Sequence, residues 1–220
     1  GHARCNAFGI RYVEKNKEFN NLILMDGDGE DRPVEIKNLI NESINKSNIS
    51  IVAKRIKRSE GPIFQLLYQI HKIITYVFTG KYINFGNYSC LTKKDVEKIN
   101  SVASLWSSYS GTLKKIIPEF GEIDSIRGKR YFGPSKMSLL KLLIHSFSII
   151  AVFKYQVFLR SSFLIITLSY INMFLGNISI FFQILIVIFN LVIFIISLRE
   201  KECELKESHN NLGRIEEITH

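Results

Sequence analysis

The amino-acid sequence predicts an α/β domain that is followed by an interfacial helix and a two-helix transmembrane hairpin. Short apolar runs alternate with stretches of helical periodicity up to residue 136, a pattern typical of α/β domains. Residues 161–175 and 178–198 then contain no charged side chain, and each run approaches the roughly 20 residues that a helix needs to cross a bilayer. Gly176 and Asn177, between the two runs, favour a tight turn.

The predicted parts are an α/β domain over residues 1–136, a juxtamembrane amphipathic helix over 137–160, two transmembrane helices within 161–198 and a polar tail over 199–220. Lys154 and Arg160 precede the hairpin, and Arg199 and Lys201 follow it. By the positive-inside rule, the domain and both ends of the hairpin are therefore expected in the cytoplasm.

Composition limits the classes of partner. The chain has 220 residues, 46% of them hydrophobic, and a formal net charge of +9 to which the uncharged hairpin contributes nothing. This balance predicts acidic partners, such as phosphorylated substrates, anionic lipid headgroups or nucleic acid. Cys5, Cys90 and Cys203 are odd in number and lack the spacing of metal ligands, which indicates a reduced, cytosolic setting.

The first residues predict a helix from Ala3 to Val13, packed by Ala7 and Ile10, and no signal-peptide pattern precedes it. No initiator Met is present at Gly1. Such an opening is typical of the middle of a domain. We therefore expect further strands and helices of the same domain before Gly1.

An acidic segment follows the first predicted strand. The apolar run Leu22–Met25 ends abruptly in carboxylates that are separated by glycines. In open α/β sheets, ligands bind beyond the carboxyl ends of the strands, so Asp26 and Asp28 are candidate site residues, with Glu30 beside them. Carboxylates at this spacing suit Mg²⁺ or Mn²⁺, which would in turn hold a diphosphate.

Other interpretations of this segment remain open. Asp-Gly pairs also form purely structural turns. An EF-hand loop is excluded because its sixth position, normally glycine, is Asp31. The segment also resembles the Asp-x-Asp-Gly motif of haloacid-dehalogenase-like phosphatases, in which Asp26 would be the nucleophile and Asp28 the acid/base. Glu30 departs from that motif, where Thr or Val is usual.

A second predicted strand, Asn48–Ala53, is followed by the cations Lys54, Arg55, Lys57 and Arg58. A run of solvated charges is one interpretation. A phosphate site is the other, because an arginine at a strand end engages two oxygens at once. Arg55 is the candidate residue.

The remaining elements are simpler to predict. Helical periodicity covers residues 34–44, an apolar core or interfacial helix covers 61–80, and a short strand covers 83–91. Thr92 is the expected N-cap of the helix that follows. The segment 101–120 contains the only tryptophan, Trp106, which is expected in the core.

A basic loop, residues 127–136, precedes the juxtamembrane helix. Its glycines allow backbone N–H groups to approach an anion closely. Ser135 and Lys136 supply hydrogen-bond donors at the start of a helix, and Arg130 supplies a further donor upstream. Nucleic acid also binds such patches. The adjoining membrane segment argues against nucleic acid here.

In this order, the motifs resemble the polyprenyl-phosphate glycosyltransferases, relatives of dolichyl-phosphate mannose synthase within the family 2 glycosyltransferases of GT-A fold. The opening Gly1–Ile10 is similar to that family's first-helix pattern. The family's metal and loop motifs are matched by Met25, Asp26, Asp28, Asp31, Pro33, Glu35 and Ile36, and by Arg130, Gly133, Ser135 and Lys136. The likeness extends from Gly1 to about Leu198.

The chain departs from this family at three places. Glu30 stands where the family usually has Gln, and Pro134 where a Glu is common. The family's first strand and the residues that bind the nucleotide base would precede Gly1. The resemblance therefore identifies neither the nucleotide nor the sugar.

The resemblance implies an incomplete, Rossmann-like GT-A domain that transfers a sugar, with inversion, from a nucleotide-sugar to a polyprenyl phosphate. Mg²⁺ or Mn²⁺ would bind Asp26 and Asp28, with Glu30. Arg55, Arg130, Ser135 and Lys136 would hold the acceptor phosphate. The lipid bilayer is the further partner, nucleic acid is not expected, and a homo-oligomer is left open. The setting implied is the bacterial inner membrane and the synthesis of cell-envelope glycans. The alternatives are a membrane-anchored phosphatase and an inactive anchored fragment.

Overall fold

The structure, a computed structural model, describes residues 2–46, 48–57, 62–133 and 138–208. Its strands are β1 (Asn21–Leu24), β2 (Ile51–Lys57), β3 (Phe85–Thr92) and β4 (Gly121–Ile126). Its α-helices are α1 (His2–Asn16), α2 (Ile36–Asn45), α3 (Pro62–Thr79), α4 (Lys93–Asn100), α5 (Tyr109–Ile116), α6 (Leu139–Ala151), α7 (Lys154–Leu175), α8 (Asn177–Ser197) and α9 (Glu202–Glu207). Short 3₁₀ turns cover Pro33–Glu35 and Ala103–Trp106.

The four strands form one mixed sheet in the order β1-β3-β2-β4. β3 is antiparallel to both of its neighbours, whereas β2 and β4 are parallel. β1, β2 and β4 therefore run in one direction, and their carboxyl ends lie at the same edge of the sheet. The predicted α/β architecture is confirmed, and the sheet is mixed. In open α/β sheets, ligands bind beyond the edge at which the strands have their carboxyl ends.

Each face of the sheet is covered by helices. Val52 and Leu91 project to one face, into a core that α1, α4 and α5 complete. Ile51 and Cys90, one residue along on each strand, project to the other face and pack against Leu39 of α2. This alternation with a period of two is the ordinary geometry of a strand that is buried on both faces.

Two strands differ from the sequence prediction. β2 continues through Lys57, so Lys54 and Arg55 lie on the strand rather than after it. β4 was not predicted, and it pairs in parallel with β2 along the edge of the sheet. Its residues alternate between buried and exposed, with Glu122 and Asp124 facing solvent.

The helix expected over 137–160 is divided in two in the described residues. α6 begins after Ser138, whose side chain accepts a hydrogen bond from the backbone N–H of Lys141, and it ends at Ala151. Val152 and Phe153 then form a buried turn, and α7 starts at Lys154. The last turns of the predicted juxtamembrane helix are thus the first turns of α7.

Helices α7 and α8 are each long and apolar enough to cross a membrane. They form a hairpin at the predicted turn, where Gly176 has a φ of 54° between the two helices. The Ser179 hydroxyl on α8 donates to the Leu168 carbonyl on α7 at 2.6 Å. A hydroxyl bond of this kind ties two apolar helices together where water is scarce.

After the hairpin, the chain returns to the α/β domain. The indole N–H of Trp106 donates to Glu204 on α9 at 2.9 Å, and Arg4 on α1 pairs with the same carboxylate at 2.9 Å. Leu205 is only 1% exposed and belongs to the core of the domain. The chain therefore leaves the α/β domain to form the hairpin, and it packs against the same domain again after the hairpin.

Candidate functional site

An acidic corner follows β1 at the carboxyl edge of the sheet. We use this name for Asp26, Asp28, Glu30 and Asp31. Its backbone is held by its own side chains: Asp31 Oδ2 accepts from the N–H of Asp26 at 2.9 Å, and Asp28 Oδ1 accepts from the N–H of Glu30 at 3.1 Å. The loop is therefore ordered by local hydrogen bonds, as Asp side chains often provide in turns.

Asp26 contacts groups from three other elements. His2 Nε2 on α1 lies 3.2 Å from Asp26 Oδ1, Asn87 Nδ2 on β3 donates to the same oxygen at 3.2 Å, and Arg55 Nη2 lies 3.8 Å from Oδ2. Burial favours a higher pKa for Asp26, but the hydrogen bonds from His2 and Asn87 and the nearby positive charges outweigh it, so the pKa is lowered. Asp26 is accordingly an anion at neutral pH.

The pKa of His2 moves in the opposite direction. Its hydrogen bond to Asp26 raises the pKa above the ordinary 6.5, and burial of the ring offsets only part of that rise. His2 thus adds positive charge beside Asp26 as the pH falls.

Two arginines of the loop after β4 contact the other carboxylates of the acidic corner. Arg130 Nη2 lies 3.0 Å from Asp28 Oδ2 and 3.4 Å from Glu30 Oε2, and Arg127 pairs with Glu30. Burial would raise the pKa of Glu30, but its bonds to Arg127 and Arg130 lower it overall. The loop after β4 therefore lies directly against the acidic corner.

Arg55 bridges the corner from the middle of the sheet. Its Nη2 atom lies 3.5 Å from Asp31 Oδ1, and the side chain is 18% exposed. Asp31 is nearly fully buried, and this burial raises its pKa despite the nearby guanidinium of Arg55. Gly86 on β3 lies against Arg55, since a Cβ there would stand 3.3 Å from the guanidinium.

Glu35 joins the 3₁₀ turn that follows the acidic corner to β4. It accepts from the Ser125 hydroxyl at 2.6 Å, from the N–H of Ile126 at 3.2 Å and from Arg32 Nε at 3.1 Å. Burial would raise the pKa of Glu35, but these donors lower it overall. A buried carboxylate with this many donors is a structural anchor.

The loop of the acidic corner and the loop after β4 also contact each other through their backbones. The N–H groups of Gly128 and Tyr131 donate to the carbonyls of Glu30 and Asp28, both at 2.8 Å. A Cβ at Gly128 would lie 2.4 Å from the carbonyl oxygen of Gly29. This close approach requires glycine.

The structure brings together five of the seven predicted site residues: Asp26, Asp28, Glu30, Arg55 and Arg130. Ser135 and Lys136 lie outside the described residues. The sequence prediction did not name four further residues of the site: His2, Asn87, Asp31 and Arg127. His2, Asp31 and Arg127 stand within motifs that were already recognised, but no sequence signal places His2 or Asn87 beside Asp26.

The carboxylates of the corner suit a hard divalent ion by chemistry. Within the described ranges, no group of three His, Cys, Asp or Glu side chains is arranged to hold a metal. Mg²⁺ commonly takes only one or two protein carboxylates, with substrate phosphates and water completing its coordination. Asp26 and Asp28 fit that donor set, and Glu30 is held by its two arginines.

Helix α3 links the edge of the sheet that carries this site to the apolar helices. It comes after the carboxyl end of β2 and before the start of β3, which lie at the same edge. Near the end of α3, the Val77 carbonyl accepts a hydrogen bond from Arg160 on α7 at 3.1 Å. The acidic corner therefore lies at the edge of the sheet that α3 connects to α7.

Comparison with models of known protein families and with curated proteins found no match to this chain.

Proposed function

We propose that the protein is a membrane-bound hexosyltransferase that moves a sugar from a nucleotide-sugar to a polyprenyl phosphate. The observation that carries the proposal is the contact between Arg130 and Asp28, 3.0 Å apart. It joins a cation suited to a phosphate with a carboxylate suited to a metal-bound diphosphate, beside two helices that are apolar enough to cross a membrane. The proposed setting is the cytoplasmic face of a bacterial inner membrane.

On the donor side, Asp26 and Asp28 would hold Mg²⁺ or Mn²⁺. When bound, the ion would neutralise the diphosphate and make it a better leaving group. Asn87 and His2 contact Oδ1 of Asp26, and Oδ2 faces Arg55. The carboxylate therefore has a fixed orientation. This preorganisation reduces the reorganisation needed during reaction.

On the acceptor side, Arg130 and Arg55 would bind the phosphate of the lipid, with Ser135 and Lys136 as further donors. A phosphate oxygen forms the new bond to the anomeric carbon as the bond from that carbon to the diphosphate oxygen breaks. The electron pair of that bond leaves with the nucleoside diphosphate. The attacking oxygen is already anionic, so positioning and charge neutralisation carry the rate without a strong general base.

Sugar transfer in membranes that contain the full-length protein tests the proposal. A panel of labelled nucleotide-sugars is supplied with a polyprenyl phosphate and either Mg²⁺ or Mn²⁺. We expect one donor to label the lipid fraction and a chelator to abolish the labelling. A folded protein that labels no lipid with any donor would overturn the proposal.

A non-catalytic anchored protein is the second candidate, and one observation favours it. The four carboxylates of the acidic corner each contact at least one basic side chain, so the corner is neutralised without a metal. If the corner is only structural, Mn²⁺ will not raise the thermal unfolding midpoint of the protein. A phosphatase would instead form an aspartyl-phosphate that Asp26→Asn removes.

A further inference from the structure

Helix α3 is apolar on two adjacent faces. Ile74 and Phe78 pack against the cluster formed by α6, α7 and α8. Ile73 and Val77 each precede one of these residues, about 100° away around the helix, and form an exposed stripe with Leu66. Leu66, Ile73 and Val77 are 62%, 63% and 40% exposed. An exposed apolar stripe of this kind marks a surface that contacts a membrane or another molecule.

The carboxyl end of α3 is attached within the hairpin. Arg160 on α7 donates to the Val77 carbonyl at 3.1 Å, and the ring centroids of Phe78 and Phe189 are 4.4 Å apart. Arg160 is six residues beyond the start of α7, which corresponds to about 9 Å along the helix. The end of α3 is thus level with the first third of α7, near the depth of a membrane interface.

A pocket of about 410 Å³ opens beside this exposed face. It is lined by Gln69, Lys72, Ile73, Tyr76 and Tyr82. Lys72 Nζ lies 4.8 Å from the ring centroid of Tyr82, and no described carboxylate pairs with it. Tyrosine and lysine are the side chains that membrane proteins place at the headgroup level.

We propose that α3 is a third membrane-contacting helix and that the Lys72 pocket binds the anionic headgroup of a phospholipid. The exposed stripe of α3 adjoins the face of α3 that packs on the hairpin, so the leaflet that surrounds the hairpin also covers this stripe. The headgroup phosphate pairs with Lys72, the tyrosine rings enclose it, and the acyl chains lie along Ile73 and Val77. The inference depends on α7 and α8 crossing a membrane, and it is independent of sugar transfer.

Contact between α3 and lipid is tested by fluorescence quenching of the full chain in vesicles of brominated phosphatidylglycerol. Ile73→Trp and Val34→Trp place an indole at sites that are 63% and 72% exposed, on α3 and on the α/β domain. Trp106 gives the same background in both. We expect the Ile73→Trp signal to lose most of its emission and the Val34→Trp signal to keep it. Equal quenching of the two variants would overturn the membrane contact.

Headgroup binding is tested by native mass spectrometry of the delipidated full chain in detergent. The protein is titrated with phosphatidylglycerol or with phosphatidylcholine. We expect preferential retention of phosphatidylglycerol and about fivefold weaker binding in Lys72→Gln, the effect of one interfacial cation. Lys141→Gln, an exposed cation on α6 outside the pocket, is the matched control and should bind as the parent does.

Three results of this titration would contradict the pocket. They are unchanged retention in Lys72→Gln, an equal loss in Lys141→Gln, and complete displacement of the lipid by inorganic phosphate. The last would identify a site for free phosphate. Because the readout is lipid retention, a failed transferase proposal leaves this result unaffected, and failure here leaves sugar transfer unaffected.

Discussion

Glu35 fixes the 3₁₀ turn that follows the acidic corner to β4. It is 4% exposed and accepts from Ser125, Ile126 and Arg32. Glu35→Gln keeps the shape but removes the charge, and we expect a loss of about 1–3 kcal/mol in the free energy of unfolding at pH 7. The measurement is thermal unfolding of the detergent-solubilised protein.

The pH dependence of this effect has a definite sign. The pKa of Glu35 is lowered in the folded protein, so its stabilisation is complete above the ordinary value of 4.5 and is lost as the pH falls through the folded value. The parent should therefore lose more stability than Glu35→Gln on acidification. Glu42→Gln, which breaks only an exposed pair with Lys46, should follow the parent curve. Parallel curves for the parent and Glu35→Gln would refute the anchoring role.

Gly128 is the residue at which the two loops approach most closely. Gly128→Ala would place a methyl group 2.4 Å from the carbonyl oxygen of Gly29. We expect the loops to separate and the protein to lose about 1–3 kcal/mol of stability. Gly27→Ala is the control, because a Cβ there has no neighbour within 4 Å. A Gly128→Ala variant as stable as Gly27→Ala would mean that the loops are not packed in this way.

At the scale of elements, local signals were sufficient for some predictions. β1 lies within one residue of the predicted run, and Thr92 is the N-cap of α4, with its side chain accepting from the N–H of Asp95 at 3.3 Å. The prediction ended β2 at Ala53 because charged residues follow. In the structure Arg55 remains on the strand because Asp31 and Asp26 neutralise it at the sheet edge.

Other elements depend on contacts that sequence patterns do not contain. β4 was missed because Glu122 and Asp124 interrupt its apolar residues, and its hydrogen-bonding partner β2 is distant in the sequence. His2 and Asn87 meet Asp26 only because α1 and β3 flank β1. The carboxylates and arginines were predictable from strand ends and loop chemistry, whereas their orienting neighbours require the order of the sheet.

Helix α9 is a short element whose attachment depends on Leu205, which is buried in the core of the α/β domain. Leu205→Ala should cost about 2–5 kcal/mol and loosen α9 from the domain. Trp106, the only tryptophan, donates to Glu204 on α9, so its emission should shift to the red. Leu198→Ala, at a position that is 58% exposed, should leave the emission unchanged. An unshifted spectrum in Leu205→Ala would show that α9 is not docked.

In the whole molecule, Arg4 on α1 pairs with Glu204 on α9, which follows the hairpin. The chain before the hairpin and the chain after it therefore belong to one packed domain, and we expect both on one side of the membrane. Cys5 and Cys203 are exposed, and Cys90 is buried. In sealed vesicles of one orientation, an impermeant maleimide should label Cys5 and Cys203 together and reach Cys90 only after denaturation. Asn177→Cys, in a background where Cys5 and Cys203 are serine, should label from the opposite side. Labelling of Cys5 and Cys203 from different sides would contradict the hairpin.

In the proposed function, the acidic corner transfers sugar to a lipid phosphate beside the apolar helices. The most direct test compares Asp28→Asn with Asp124→Asn in the metal-dependent transfer assay, using membranes with equal amounts of folded protein. Asp124 is an exposed carboxylate on β4 outside the corner. We predict that lipid labelling falls at least about 100-fold in Asp28→Asn, because even the loss of a group that only orients a metal ligand costs up to about 100-fold, and that labelling persists in Asp124→Asn. Undiminished transfer by Asp28→Asn would contradict a catalytic role of the acidic corner.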